Sequence, residues 1–474
     1  MSAPPSALVC AGCGYQAPPE EPYPFRCPNA VSGDDTDHVM TVVLDWPRLR
    51  WPGGDEANPF LRFRTLLHSY HLAVARGMGD AAYVALVEEL DRAVASVDGR
   101  GFAVTPFGRQ EALSKRLGFA PQGGVWVKDE TGNVSGSHKA RHLMGLLLHL
   151  EVVERAGLVP AGRATQLAIA SCGNAALAAA VVARAAGRPL RVFIPTVADP
   201  KVVARLRALE ADLAICPREA GVPGDPTYHR LRQAVREGAL PFTCQGSDNG
   251  LTIEGGKTLG YEMVGSLARE GQGLDRVFVQ VGGGALASAL VQALEDARHL
   301  GALERLPRIH AVQTRAVQPL VRAYDGVTGR ILERIAREDG RHPAPPGKAR
   351  ERADLILEYA ASPLVAEELH YAVTHRSQFM WPWEAEPRSV AAGIIDDETY
   401  DWAAVVRGMV ASGGYPLAVS EEVLREAHTL ALSTTGIAVD PTGSAGLAGL
   451  LELVRGGEVA PQERVAVLFT GVQR

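Results

Sequence analysis

Four short segments of this chain suit the binding of a small anionic ligand, and one cluster suits a metal. Gly282, Gly283 and Gly284 stand between two apolar runs, VFVQV and ALASALVQAL. Consecutive glycines let backbone N–H groups converge, and a helix dipole behind them adds positive potential, so a phosphate can be cradled without Lys or Arg. Such turns also serve packing alone. Lys139 follows the small-residue stretch TGNVSGS. A lysine at a helix start opposes the dipole, so an amine acting as nucleophile or base explains it better than surface stabilisation. The alternative is an ordinary exposed lysine. Ser171, Cys172, Gly173 and Asn174 follow another apolar run. Their hydroxyl, thiol, amide and N–H groups suit a carboxylate or a phenolic oxygen, or simply a helix N-cap. Thr470 and Gly471 end the run VAVLF. At the other end of the chain, Cys10 and Cys13 form a CxxC, with Cys27 and His38 downstream. Three thiolates and one imidazole fit a closed, structural zinc site. The alternative is three ordinary cysteines.

These residues need elements to position them. Apolar spacing predicts helix over residues 60–97, and beyond residue 100 strands and helices alternate. Strands are expected at 125–127, 166–170, 190–194, 213–216, 276–281, 309–313 and 464–469. Helices are expected at 138–156, 174–186, 200–209 and 285–299. Short apolar strands separated by helices argue for an α/β fold with largely parallel sheets. Ligand-binding loops then belong at the carboxyl ends of the strands. The stretch 335–352, AREDGRHPAPPGKARERA, reads as a surface loop or insertion.

Composition narrows the classes. The 474 residues are 46% hydrophobic and 22% charged, which excludes disorder as the dominant state. With 48 Lys and Arg against 54 Asp and Glu, no basic arm invites nucleic acid. Nothing approaches the ~20 uninterrupted apolar residues of a membrane span, and the N-terminus lacks the pattern of a signal peptide. The six cysteines do not make a disulfide framework, and their distribution suits a cytoplasmic protein.

From about residue 104 to the end, the order of these pieces resembles the fold-type II pyridoxal-phosphate enzymes, the tryptophan synthase β-like superfamily. Thr105-Pro106 is similar to its opening Thr-Pro, and Ser137-His138-Lys139 resembles its Ser-x-Lys motif. The resemblance implies pyridoxal phosphate bound to Lys139 as a Schiff base, with Asn174 beside its phenolic oxygen. It also implies that Gly282, Gly283, Gly284, Ala285 and Leu286 hold its phosphate, while Ser171, Cys172 and Gly173 receive the substrate carboxylate. Glu254-Gly255-Gly256-Lys257-Thr258 resembles a further family segment. Within the superfamily the chain is most similar to threonine synthase. The Cys-rich start resembles a zinc ribbon, the segments 389–402, 412–415 and 419–423 are similar to late segments of that enzyme, and Thr470 stands where its hydroxyl faces the pyridine nitrogen. The implied organisation is a zinc-ribbon-like segment at 1–46, a large cofactor-binding domain from 47–150 and 255–474, a smaller α/β domain at 151–254, and a homodimer.

The sequence departs from threonine synthases at several of these places. Ser-Phe-Lys-Asp-Arg-Gly becomes Ser137-His138-Lys139-Ala140-Arg141-His142, Cys172 replaces Ser or Thr, and Val472-Gln473-Arg474 follows Thr470-Gly471. Three readings follow. One is a threonine-synthase-like lyase converting O-phosphohomoserine to threonine, with Arg141 and Lys257 as candidate partners for the substrate phosphate. Another is a β-eliminating or β-replacing enzyme of the serine/threonine dehydratase or cysteine synthase kind. The third is a cofactor-binding sensor without turnover.

Overall fold

The computed structural model describes residues 4–160, 165–218, 225–339, 347–385 and 387–474. Its strands are β1 (Ser6–Cys10), β2 (Met40–Leu44), β3 (Phe107–Arg109), β4 (Gly124–Asp129), β5 (Leu167–Ala170), β6 (Leu190–Pro195), β7 (Asp212–Cys216), β8 (Leu240–Pro241), β9 (Arg276–Gln280), β10 (Arg308–Thr314), β11 (Leu417–Val419) and β12 (Arg464–Phe469). β1 and β2 form an antiparallel pair, with Cys10 opposite Met40. A six-stranded sheet has the order β11-β10-β9-β12-β4-β3, and a four-stranded sheet has the order β7-β6-β5-β8. Every ladder in the two larger sheets is parallel except that of the edge strand β3 on β4. The α/β architecture inferred from the sequence is thus the one observed.

Parallel strands covered by helices on both faces need continuous rather than alternating apolar runs. RVFVQ in β9 is buried at every position, and VAVLF in β12 likewise. Around the larger sheet, Phe278, Val465, Leu468, Leu290 and Trp402 share one core. Around the smaller sheet, Ile169 and Val181 share a second core with Leu143 and Leu147 of the helix Lys139–Arg155 and with Leu8 and Met40 of the first hairpin. The segment carrying the cysteines is therefore built into a core.

Two expectations from periodicity are corrected. Residues 60–97 are not one helix but Pro59–Arg62, His68–Ala75 and Asp80–Asp98. Gly77, at φ +85°, and Gly79 interrupt the pattern, because a left-handed residue cannot continue a helix. Helix also enters 335–352 from both ends, since Pro319–Asp339 and Ala349–Glu358 flank it; the Pro-rich centre lies outside the described residues.

Candidate active site

β9, β12 and β4 are neighbours, with Val467 of β12 level with both Phe278 and Val127. The loops that leave their carboxyl ends therefore emerge side by side. After β4, the chain turns through Ser135 at φ +53° and Gly136 at φ +68°, then enters the helix Lys139–Arg155. After β12, Thr470 and Gly471 run back along this turn. Ser137 and Gly471 form an antiparallel bridge, and Val472 N donates to Gly136 O at 2.9 Å. His138 grips the carbonyl of Thr470 twice, from its backbone N and from Nδ1, each at 3.1 Å. Lys139, one residue on, is half-buried, and among the described residues no hydrogen bond or ion pair engages its ammonium group.

Asn174 begins the helix Asn174–Ala185. Its Oδ1 accepts from the Arg474 guanidinium, and its side chain bonds the carboxylate of Asp440. A Cβ on Gly471 would lie 2.7 Å from Asn174 Nδ2 and 3.0 Å from Asp440 Oδ2, so a larger residue there would displace this pair. Ser171, Cys172 and Gly173 lie half-buried beside it, and burial pushes the Cys172 thiol up.

The glycine loop joins β9 to the helix Ala285–His299, with Gly284 at φ +97°. Residues 394–401 press against it: a Cβ on Gly282 would stand 2.3 Å from Asp396 Oδ2, and one on Gly283 2.9 Å from Tyr400. Gly283 donates its N–H to the Asp396 carboxylate. Burial lifts Asp396 to about 6 despite the opposing charge of Lys139. Asp401 accepts from Gly246 N, and burial lifts it to about 7.

Residues 100–354 match the pyridoxal-phosphate dependent enzyme family, more than half of the chain. The chain belongs to that family. Its relatives include the threonine synthase of Methanocaldococcus jannaschii, 24% identical over 369 residues, 77% of this chain and 74% of the relative. An L-serine dehydratase of Saccharomyces cerevisiae is 28% identical over 214 residues, 44% of this chain and 61% of the relative. Two solved structures share the fold. One is a T.th. threonine deaminase, TM-score 0.52 at 23% identity, covering 82% of this chain and 98% of that one. The other is the L-serine ammonia-lyase of Rhizomucor miehei, TM-score 0.53 at 17% identity, covering 78% and 94%.

The family's cofactor is pyridoxal phosphate, and the residues present fit it. The glycine loop already holds an anion, the Asp396 carboxylate, on a backbone N–H, and Lys139 presents an amine with no protein partner among the described residues. Beside this loop opens a cavity of about 1190 Å³, lined among others by Asp225, Tyr228, Arg232, Arg376, Asp396 and Tyr400.

Arg141 and Lys257 do not face this cavity, which corrects their candidacy as partners of a substrate phosphate. Arg141 is fully buried, with Nε 2.7 Å from Glu130 Oε2 and Nη1 2.6 Å from Glu262 Oε1. Lys128 shares Glu262, so two cations neutralise two carboxylates in a closed cluster. Lys257 is spent on Asp296 at 2.7 Å. A buried cation is held by carboxylates because leaving it alone there is costly.

At the N-terminus, the ligand atoms of Cys10, Cys13, Cys27 and His38 all lie within 4.8 Å of one another. Cys10 Sγ is 3.4 Å from His38 Nδ1, and Cys13 Sγ is 3.6 Å from Cys27 Sγ. Around zinc with ~2.3 Å bonds to sulfur, tetrahedral edges measure about 3.8 Å, so the cluster has the right size. His38 Nε2 rests on Asp34 Oδ2 at 2.6 Å, the carboxylate contact that fixes a ligating histidine.

Gln280, Asp396, Asp401, Asp440 and Arg474 also neighbour the site, and sequence reasoning missed them. The acid run Asp396-Asp397-Glu398 and a Gln inside an apolar strand are visible, but neither shows in sequence which loop it meets.

Proposed function

We propose that this enzyme is a pyridoxal-phosphate-dependent lyase that eliminates a leaving group from a hydroxy amino acid and yields a 2-oxo acid and ammonia. The observation that carries the reading is that a lysine without a partner among the described residues, a glycine loop at a helix N-terminus and Thr470 leave adjacent parallel strands side by side, with Asn174 of the smaller sheet set against Gly471. Bound pyridoxal phosphate withdraws electrons from the substrate α-carbon, which makes its proton labile. In this proposal Lys139 anchors the cofactor and, once released, carries the proton between the α-carbon and the leaving hydroxyl. The N–H groups from Gly282 to Leu286 hold the cofactor phosphate, and the segments 394–401 and 282–284 keep water from it. Asn174 orients the ring through its phenolic oxygen, Thr470 contacts the ring nitrogen, and Ser171, Cys172 and Gly173 receive the substrate carboxylate. Zinc at Cys10, Cys13, Cys27 and His38 is structural, because the tetrad leaves no ligand position open.

Arg141 and Lys257 are consumed by buried carboxylates, which favours a leaving group without a phosphate; the cavity itself carries both signs, with Arg232 and Arg376 beside Asp225, Asp396 and Asp397. A threonine-synthase reaction is the second reading, favoured by the extent of the match to the Methanocaldococcus jannaschii relative. The test is an absorbance spectrum of the protein loaded with pyridoxal phosphate, followed by addition of L-serine, L-threonine or O-phosphohomoserine. We expect a band near ~410 nm that is lost in Lys139→Ala, and 2-oxo acid from serine or threonine. Inorganic phosphate and threonine from O-phosphohomoserine would establish the second reading instead. No band in the wild type would overturn the cofactor roles of all these residues.

A further inference from the structure

Gln280 is the last residue of β9, 4% exposed, in a strand otherwise apolar from Val277 to Val279. A buried amide in such a strand needs partners. Its Nε2 lies 2.7 Å from Gly443 O, 2.7 Å from Thr470 Oγ1 and 3.2 Å from Leu468 O. Two of these partners are carbonyl oxygens, which only accept, so the atom facing them is the amide nitrogen; the flipped amide would set oxygen against oxygen. The other amide atom, Oε1, has no partner among the described residues and faces Gly446, where a Cβ would come within 3.0 Å of it.

The consequence falls on Thr470. A hydroxyl has one hydrogen to give and accepts through its oxygen. The amide has two hydrogens for three acceptors, and the two short contacts take them, one to Gly443 O and one to Thr470 Oγ1. Oγ1 therefore already has a hydrogen from that side, and the hydroxyl's own hydrogen must point elsewhere. Among the described residues no acceptor is recorded for it. The backbone of Thr470 has no freedom to change this arrangement, since His138 holds its carbonyl from two donors and Gly471 bridges to Ser137.

We infer that Gln280 is a positioning residue that fixes the Thr470 hydroxyl as a hydrogen-bond donor toward the bound cofactor's ring nitrogen, and so keeps that nitrogen unprotonated. The inference rests on the cofactor reading above and goes beyond it: the polarity of the contact, and not merely its presence, is set by a residue that does not touch the cofactor. A nitrogen that accepts from a hydroxyl cannot also carry a proton on the same lone pair. Without that donor the hydroxyl could turn its own hydrogen away from the ring nitrogen, and the lone pair it then presented would favour a protonated ring.

The experiment uses pyridoxal phosphate labelled with ¹⁵N in the ring, bound to the full-length protein, with the nitrogen shift followed against pH. In the wild type we expect the shift of an unprotonated, hydrogen-bonded nitrogen at neutral pH. Gln280→Met should raise the apparent pKa of the ring nitrogen by about one unit, a tenfold change in its protonation equilibrium. Gln280→Glu, which offers an acceptor in place of the donor, should move it the same way and serves if the Met variant does not fold. In a Thr470→Val background, Gln280→Met should no longer move the nitrogen, because the residue acts only through the hydroxyl. An unchanged nitrogen pKa in Gln280→Met, alongside a change in Thr470→Val, overturns the inference and leaves the cofactor reading standing. Absence of any bound label in the wild type overturns the cofactor reading and this inference with it. A role limited to packing would lower thermal stability without moving the nitrogen shift, and that too would refute the assignment.

Discussion

Asp396 holds the backbone N–H that the proposal gives to the cofactor phosphate, and this contact has a pH signature. Burial raises its carboxyl from 3.8 to about 6, so the fold disfavours the charged form. The stabilisation that the neutral carboxyl contributes is fully present below the unfolded value of 3.8 and is lost as pH rises through about 6. Asp396→Asn should therefore raise Tm at about pH 8 and leave it nearly unchanged at about pH 4. The same substitution removes a charge that competes with a phosphate for Gly283 N–H. Titration of pyridoxal phosphate, followed by protein fluorescence, should give a dissociation constant about tenfold lower in the variant at about pH 8. Equal affinities for variant and wild type would show that the acid segment swings clear without cost.

At the scale of elements, the closed cluster of Lys128, Glu130, Arg141 and Glu262 ties β4 to the helices Lys139–Arg155 and Thr252–Arg269. Thr105, from the loop before β3, joins it through its hydroxyl. Removing one partner leaves a buried charge without compensation, so Arg141→Leu should cost ~3–5 kcal/mol in urea unfolding. A substrate-binding role would instead leave stability intact and raise KM. The sequence made Arg141 look like a ligand because it lies two residues beyond Lys139, close to the site in sequence. A helix turns 100° per residue, however, so a neighbour two positions on faces the opposite side. The strands and the glycine loop were legible because buried parallel strands need unbroken apolar runs, as in VFVQV. The interruption at Gly77 and the strand β11, only Leu417–Val419, were not, because short elements are fixed by their tertiary neighbours. Asn174, Lys139 and Thr470 were each singled out by a strand-to-loop position; that Asp440 and Arg474 flank Asn174 depends on loop paths that no local pattern encodes.

For the whole molecule, the N-terminal segment reaches the candidate active site by a continuous set of contacts. Between Cys27 and His38 the chain passes Asp35 and Asp37. Asp35 receives Ser377 N at 2.7 Å and Ser377 Oγ at 3.0 Å, while its carbonyl takes Arg376 N at 2.8 Å. Asp37 N donates to Val373 O at 2.8 Å, and its carboxylate lies 3.4 Å from Arg376 Nε. Arg376 in turn pairs with Glu398, within the segment that covers the glycine loop, where Asp401 N donates to Gly283 O at 3.0 Å. A metal bound at Cys10, Cys13, Cys27 and His38 would thus fix the loop that presents Asp35 and Asp37, and through Arg376 the wall of the cradle. Coupling of this kind is reciprocal and measurable as a change in affinity. Cys13→Ser should weaken pyridoxal phosphate binding about tenfold, and Arg376→Ala should do the same with the metal content unchanged. The double variant should be no weaker than either single one, because both break one chain of contacts. Metal content by elemental analysis and cofactor affinity by fluorescence titration decide the matter together. Full cofactor affinity in a metal-free Cys13→Ser protein would show instead that the N-terminal segment stands on its own core contacts, through Leu8, Met40 and Leu44.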